Sequence, residues 1–180
     1  MTPTAFRAGG KGETIRHAIG HSSLGKVLVA ATDRGVCAIM LGDDAKGLVE
    51  SLRAQFPKAA LKEADADFSG WVDEVVRIVD EPSEAGQLSL PLDIRGTAFQ
   101  RRVWEVLRAI PPGETTSYAK VAARIGNPTA VRAVASACGA NPLAIAIPCH
   151  RVTAADGRLA GYRWGIERKQ RLLERERRRA

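Results

Sequence analysis

Proline and glycine cut the second half of this chain into short pieces, and that punctuation restricts it to brief helices joined by tight turns. Pro111-Pro112-Gly113, Gly126-Asn127-Pro128 and Asn141-Pro142 all fall between Thr97 and Cys149. A proline removes a backbone donor and disfavours helix in the residue before it, so no regular helix runs through these points. Between them the apolar spacing predicts helices over about 97–110, 117–125 and 129–138, the first with Phe99, Val103, Val106, Leu107 and Ile110 inward. Helix, short glycine-containing turn, helix is a helix-turn-helix arrangement. On the third helix Val131, Val134, Ala135 and Cys138 recur at i, i+3, i+4, i+7 and are expected to be buried. Thr129, Arg132, Ala133 and Ser136 are left outward.

The first half reads differently. Gly25 to Thr32, the turn residues Asp33-Arg34-Gly35, and Val36 to Leu41 predict a β-hairpin. Helical patterns follow at about 44–55 and 67–80, Glu81-Pro82-Ser83 breaks the chain, and Leu88 to Ile94 predicts another strand. The expectation is a leader of residues 1–14, a small α/β domain over 15–92, and a mostly α domain over 93–180. Asp33, Asp43, Asp44 and Asp73 invite comparison with a metal-dependent nuclease, but turns and helix starts account for them more simply.

Charge divides the chain at the same place. The formal net charge is +7, yet residues 1–90 hold 10 Lys/Arg against 13 Asp/Glu, and residues 91–180 hold 17 against 7. The second half is therefore expected to meet a polyanion, although a solvated basic surface has the same composition. Three cysteines without paired spacing give no disulfide framework and no zinc site, so no metal is expected. His17 and His21, in a basic glycine-rich segment, are expected to be solvated. No apolar run reaches the roughly eighteen residues of a membrane span, and the polar start is no signal peptide, so a cytoplasmic location is expected.

One cysteine stands apart. Cys149 lies in Ile147-Pro148-Cys149-His150-Arg151-Val152, behind the small apolar run 143–147. The thiolate is the reactive form of cysteine, and the adjacent His150 and Arg151 are expected to favour it. Pro148 is expected to fix the thiol at the end of an extended segment. Cys37 and Cys138 lack such neighbours and read as small buried hydrophobes. The third helix carries one long cation, Arg132, among residues with almost no side chain. Such a face approaches DNA closely and pushes one arginine into the base stack; equally, alanines favour helix and Arg132 is then a solvated charge.

The motifs R-G-T-A-F-Q-x-R-V-W, I-P-P-G-E-T-x-S-Y, N-P-x-A-V-R-A-V-A, A-N-P-L-A-I-A-I-P-C-H-R-V and G-Y-R-W-G-I-E-R-K resemble the O6-alkylguanine-DNA alkyltransferase family, most closely the methyltransferase part of its Ada type. The resemblance runs from about Ile15 to Glu176. It implies a ribonuclease-H-like α/β domain followed by a winged-helix-like domain carrying the site. It also implies direct, single-turnover removal of methyl from O6 of guanine (or O4 of thymine) in double-stranded DNA, by a monomer without cofactor.

Residue chemistry agrees with that reading. A soft thiolate suits in-line displacement at a methyl carbon, and the resulting thioether has no easy leaving group, so the protein is consumed. His150 is expected to take the thiol proton through a water. Glu176, placed with Ile166 and Leu173 on one stripe of a C-terminal helix, is expected to orient the imidazole. The resemblance assigns Asn141 to bridging the active-site turn and the recognition helix, and Tyr118 to protonating the departing guanine. It assigns Arg132 to replacing the extruded nucleotide, with Thr129, Ala130, Ala133 and Ser136 against DNA. Arg151 is expected to brace the site. Cys138, Val152, Tyr162, Arg163 and Trp164 are expected around the flipped base, although Trp164 also reads as helix-start core. A cysteine hydrolase needs a histidine distant in sequence, and a non-catalytic binder of alkylated DNA lacks the cysteine. If the chain is complete, gene-regulatory domains of the Ada type are absent; if it is a fragment, that question stays open.

Overall fold

The computed structural model describes residues 8–81 and 88–177. Pro82, Ser83 and residues 1–7 of the leader therefore lie outside the described residues. The first half forms a four-stranded sheet from β1 (Thr14–Ser22), β2 (Gly25–Thr32), β3 (Gly35–Gly42) and β4 (Ala60–Glu63), with helices α1 (Ala45–Gln55) and α2 (Ser69–Asp80). Strand order is β3-β2-β1-β4, with β1 parallel to β4 and the other pairs antiparallel. The expected hairpin is β2–β3, closed by Asp33-Arg34 with Thr32 opposite Gly35. Asp44 caps α1 by accepting from the Gly47 amide at 2.7 Å, so one of the four acids is indeed a helix start.

Two strands escape the periodicity reading. β1 and β4 are short on alternating large hydrophobes, and β1 takes its place in the sheet through backbone pairing on both sides. This corrects the expectation for His17, which is buried at 8 % exposure on β1, while His21 is exposed. Gly20, also on β1, admits helix α2: a Cβ there would meet Val72 at 2.5 Å.

The expected strand over Leu88–Ile94 is reduced to a single bridge between Leu92 and Val36. This segment leans on the edge of β3 through Val36 N to Pro91 O and Asp93 N to Val36 O, both 2.8 Å. Gly35 makes that approach feasible, since a Cβ there would lie 2.3 Å from the Pro91 oxygen. The same edge accepts a second visitor: Ile39 N bonds Pro142 O at 2.9 Å and Ala144 N bonds Ile39 O at 3.0 Å. β3 thus anchors the segment that leads to Cys149.

The second half comprises α3 (Ala98–Arg108), β5 (Thr116–Ser117), α4 (Tyr118–Arg124), α5 (Val131–Gly139), β6 (Val152–Thr153) and α6 (Ile166–Arg177). Thr97 and Gln100 form a reciprocal capping box at the start of α3. Trp104, absent from the expected inward stripe, is 2 % exposed and donates from Nε1 to Ala137 O at 2.9 Å, which locks α3 to α5. α4, the Gly126 turn at φ 74° and α5 make the helix-turn-helix. The expected stripe on α5 is corrected: Val134, Ala137 and Cys138 are buried, whereas Val131 and Ala135 are exposed beside Arg132, Ala133 and Ser136. The helix also begins at Val131, which leaves Thr129 in the turn, bonded to Asn127 at 3.0 Å. No helix among the described residues is long and apolar enough to cross a membrane.

Candidate active site

The apolar run before Cys149 is not extended as expected. It folds into consecutive turns, with Ile145 at φ 69°, a left-handed conformation that costs a β-branched residue about 1–3 kcal/mol. Local bonds hold it there: Ala146 N to Ala144 O at 2.7 Å and Ile147 N to Leu143 O at 3.0 Å. Asn141, fully buried, ties the turn together. Its Oδ1 accepts from Leu143 N at 2.9 Å, and its Nδ2 donates to Ile147 O at 2.8 Å and to Cys149 Sγ at 3.2 Å. One side chain therefore fixes both the turn and the thiol.

Cys149 starts a single 3-10 turn, Cys149–Arg151, that throws His150 to the other side. His150 Nε2 lies 2.8 Å from Glu176 Oε1, and both side chains are 1 % exposed. The carboxylate accepts at Nε2, so the proton sits on that nitrogen and Nδ1 is left as the basic atom. Nδ1 is buried without a partner among the described protein atoms. Arg151 turns away from the thiol: its Nε and NH2 donate to the Glu176 carboxylate at 2.9–3.2 Å, and NH1 donates to Ile110 O. Gly113 N adds a further bond to Oε2 at 3.2 Å.

These contacts set the charge states. Burial would push Glu176 up, but hydrogen bonds from His150 and Arg151 outweigh it and hold the carboxyl at about 2. Burial drives His150 below its ordinary 6.5 despite Glu176, so the imidazole rests neutral. Burial also raises Cys149 to about 11, partly offset by Asn141, Lys169 and Arg163. This corrects the expectation that the flanking His150 and Arg151 make a standing thiolate. The resting group is a thiol, and a base must act on it.

Glu176 reaches the site on the buried face of α6, but the stripe differs from the expected one. Ile166 is 42 % exposed, and the buried residues are Lys169, Leu172, Leu173 and Glu176. Lys169 was missed. Its spacing from Glu176, with the leucines between at i+3 and i+4, was the available signal. Its Nζ donates to Val152 O at 2.6 Å and Ala160 O at 3.0 Å. Two arginines pin α6 to the sheet half: Arg168 Nε to Leu24 O at 2.8 Å and Arg175 NH1 to Val79 O at 2.7 Å.

Above the thiol opens a cavity of about 340 Å³ lined by Tyr118, Ala135, Cys138, Cys149, Gly161, Tyr162 and Arg163, among others. Val152 and Trp164, expected as lining, are buried behind it. Trp164 stacks edge-on against Tyr162 at 5.2 Å between ring centroids, and Arg163 lies over its ring at 5.8 Å. Arg132, Thr129, Ala133 and Ser136 are exposed, with Ala130 half-buried at the start of the same face. Among the described residues no cluster of three or more His, Cys, Asp or Glu stands ready for a metal.

Comparison with known proteins gives concordant matches. Residues 98–178 match the family model described as 6-O-methylguanine DNA methyltransferase, DNA binding domain. The chain is 53% identical over 176 residues to the bifunctional transcriptional activator/DNA repair enzyme Ada of Escherichia coli, covering 98% of this chain but 49% of that protein. It spans about half the length of the Ada relatives it matches. It is 39% identical over 153 residues to the inducible methylated-DNA–protein-cysteine methyltransferase of Bacillus subtilis, covering 83% of each. A crystal structure of Mycobacterium tuberculosis OGT in complex with DNA superposes with a TM-score of 0.73 at 37% identity, over 93% of this chain and 94% of that one.

Proposed function

The chain belongs to the 6-O-methylguanine DNA methyltransferase family, and we propose that it repairs DNA by moving the methyl group of O6-methylguanine irreversibly onto its own Cys149. The observation that carries this reading is the thiol at the floor of a base-sized cavity, fixed by Asn141 and adjacent in sequence to the buried His150–Glu176 pair. His150 Nδ1 takes the Sγ proton through a water, and Glu176, itself held by Arg151, steadies the imidazolium that results. Sγ forms its bond to the methyl carbon as the carbon–O6 bond breaks. The electron pair leaves with guanine, which Tyr118 protonates. Burial holds that phenol at about 12, so it is protonated and able to donate at neutral pH. The imidazolium then gives its proton back to the Tyr118 oxygen through solvent, so the net change is methyl moved to Sγ and the thiol proton moved to guanine.

In this reading α5 enters DNA, Arg132 occupies the space left by the extruded nucleotide, and Thr129, Ala130, Ala133 and Ser136 lie along the strand. The exposed, nearly side-chain-free face of α5 supports this, as does the DNA-bound relative. We further read the chain as a cytoplasmic monomer. Its ribonuclease-H-like part ends near residue 92, and a winged-helix-like part follows, with α4 and α5 as helix-turn-helix.

The test is incubation with methylated and unmethylated duplex, followed by intact and peptide mass spectrometry. Cys149 should gain one methylene's mass, with at most one lesion repaired per molecule. Repeated turnover, or label on Cys37 or Cys138, would refute the proposal, and Cys149→Ala should bind methylated DNA without repairing it. A second prediction isolates Arg132. Arg132→Ala should slow repair of duplex by tenfold or more, since extrusion costs a few kcal/mol, yet leave reaction with a free modified base near the unmodified rate. Equal slowing on both substrates would remove Arg132 from this role.

A further inference from the structure

A buried polar atom left without a partner costs free energy, so each one in a folded chain requires an account. Two such atoms, with no partner among the described protein atoms, belong to the methyl-transfer site: His150 Nδ1 and the Tyr162 hydroxyl. The two rings meet edge to face, with 6.4 Å between centroids. Tyr162 also packs edge-on against Trp164 at 5.2 Å, so ring contacts rather than a hydrogen bond set its position. It lines the same cavity as Cys149. A cavity wall needs only the ring. Phenylalanine would supply that ring without a buried, unpartnered hydroxyl, so the hydroxyl needs a polar contact that protein atoms alone do not make.

We propose that Tyr162 is a positioning residue of the methyl-transfer site, its hydroxyl holding the water through which the Cys149 thiol reaches His150. This deepens the methyl-transfer reading and rests on its His150 base. A buried water is typically held by about three polar partners, and Sγ, the Tyr162 hydroxyl and His150 Nδ1 are the three on offer. The water oxygen accepts from the thiol and from the phenol, and one water hydrogen is donated to Nδ1. In the transfer the S–H bond breaks as its proton joins the water, and a proton of the water bonds to Nδ1. The Tyr162 proton does not move. Burial, then the charges of Cys149 and Glu176, push this phenol well above its ordinary 10 despite Arg168, so it stays a donor throughout. The remaining titratable and charged groups around the thiol are Cys138, Tyr118 and Arg163 on the cavity wall and Lys169 on α6. Without the hydroxyl the water keeps two partners and turns more freely, and fewer of its orientations connect Sγ to Nδ1.

The experiment compares the unmodified protein with Tyr162→Phe, which removes one oxygen and keeps the ring contacts. It follows the rate of Cys149 alkylation by iodoacetamide from pH 7 to pH 10, with the modified site read by peptide mass spectrometry. At pH 7 the variant should react about tenfold more slowly, the fold-change equivalent to about one hydrogen bond. The deficit should shrink toward pH 10, where hydroxide takes the thiol proton without the relay. A change in the shape of the wall would slow both ends of the range alike; that result, or a variant not slowed at all, overturns the proposal. His150→Ala gives a second reading. With the base gone, adding Tyr162→Phe should change the rate little, because the two residues act through one water, whereas full multiplication of the two effects would show independent roles and overturn it. Thermal unfolding gives a third. A hydroxyl with no partner at all would make Tyr162→Phe raise the melting temperature, contrary to the proposal, and one that holds a water makes it fall. None of these readouts uses DNA, so failure here is distinguishable from failure of the repair reading.

Discussion

Glu176→Gln should slow methyl transfer by about 10²–10⁴-fold, the range that positioned acids and bases contribute. The amide keeps the size of the carboxylate but not its charge. Its oxygen still accepts from His150 Nε2, but it no longer stabilises an imidazolium or pairs with Arg151. Proton transfer from a thiol held at about 11 then has no charge-stabilised destination. The same change should cost stability. Breaking a buried ion pair from one side leaves an uncompensated charge worth about 3–5 kcal/mol, here the Arg151 guanidinium. A single-turnover time course on methylated duplex measures the first effect, and denaturant unfolding measures the second. A variant that transfers methyl at the unmodified rate would take Glu176 out of the reaction.

Acid should expose the same pair. A carboxyl held at about 2 stabilises the folded chain fully above its ordinary 4.5, and that contribution is lost as pH falls from about 4.5 toward 2. His150 acts in the same direction and earlier. The unfolded chain takes up a proton near 6.5 that the buried neutral imidazole resists, so stability declines as pH falls below that value. In Glu176→Gln the carboxyl's share of the acid loss should vanish while the histidine's share remains.

The hairpin, α1, the helix-turn-helix and the acid on α6 were legible because each is written in local chemistry: a turn pair, a cap, proline stops and a buried stripe. β1 and β4 were not, because their places come from backbone pairing to β2 and to each other, which leaves little trace in side-chain alternation. On α5 the periodicity gave the helix but rotated its face. Ala135 reads as core, yet small residues are tolerated on either side, and here Ala135 lines the cavity. Proximity of Arg151 to Cys149 in sequence misled for a different reason. The single 3-10 turn sends successive side chains apart, so the neighbour that eases the thiol's burial is Asn141, eight residues upstream. Lys169 was hidden by the habit of reading lysine as surface, although it shares the buried stripe with Glu176.

O6-benzylguanine should react about a hundredfold more slowly than O6-methylguanine, and Arg163, rather than Trp164, should govern the difference. The cavity of about 340 Å³ is walled by Tyr118, Tyr162 and Arg163, so a benzyl group competes with large side chains for the space beside Sγ. Displacing the reacting atoms by about an ångström is enough for a loss of that size. Arg163 is held across the opening by bonds to Asn141 O at 3.3 Å and Gln55 Oε1 at 3.1 Å. Arg163→Gly removes this wall, and should recover most of the benzyl reaction while changing the methyl reaction little. Trp164 acts at one remove, as the buried ring on which Tyr162 rests. Trp164→Ala should therefore destabilise by about 3–5 kcal/mol, as large aromatic truncations do, and recover the benzyl reaction only to the extent that Tyr162 relaxes. Rates of Cys149 modification by the two free bases, followed by intact mass, separate these cases. Rapid benzyl transfer to the unmodified protein would show that none of these side chains limits the pocket, and recovery in Trp164→Ala exceeding that in Arg163→Gly would return the limiting role to the tryptophan.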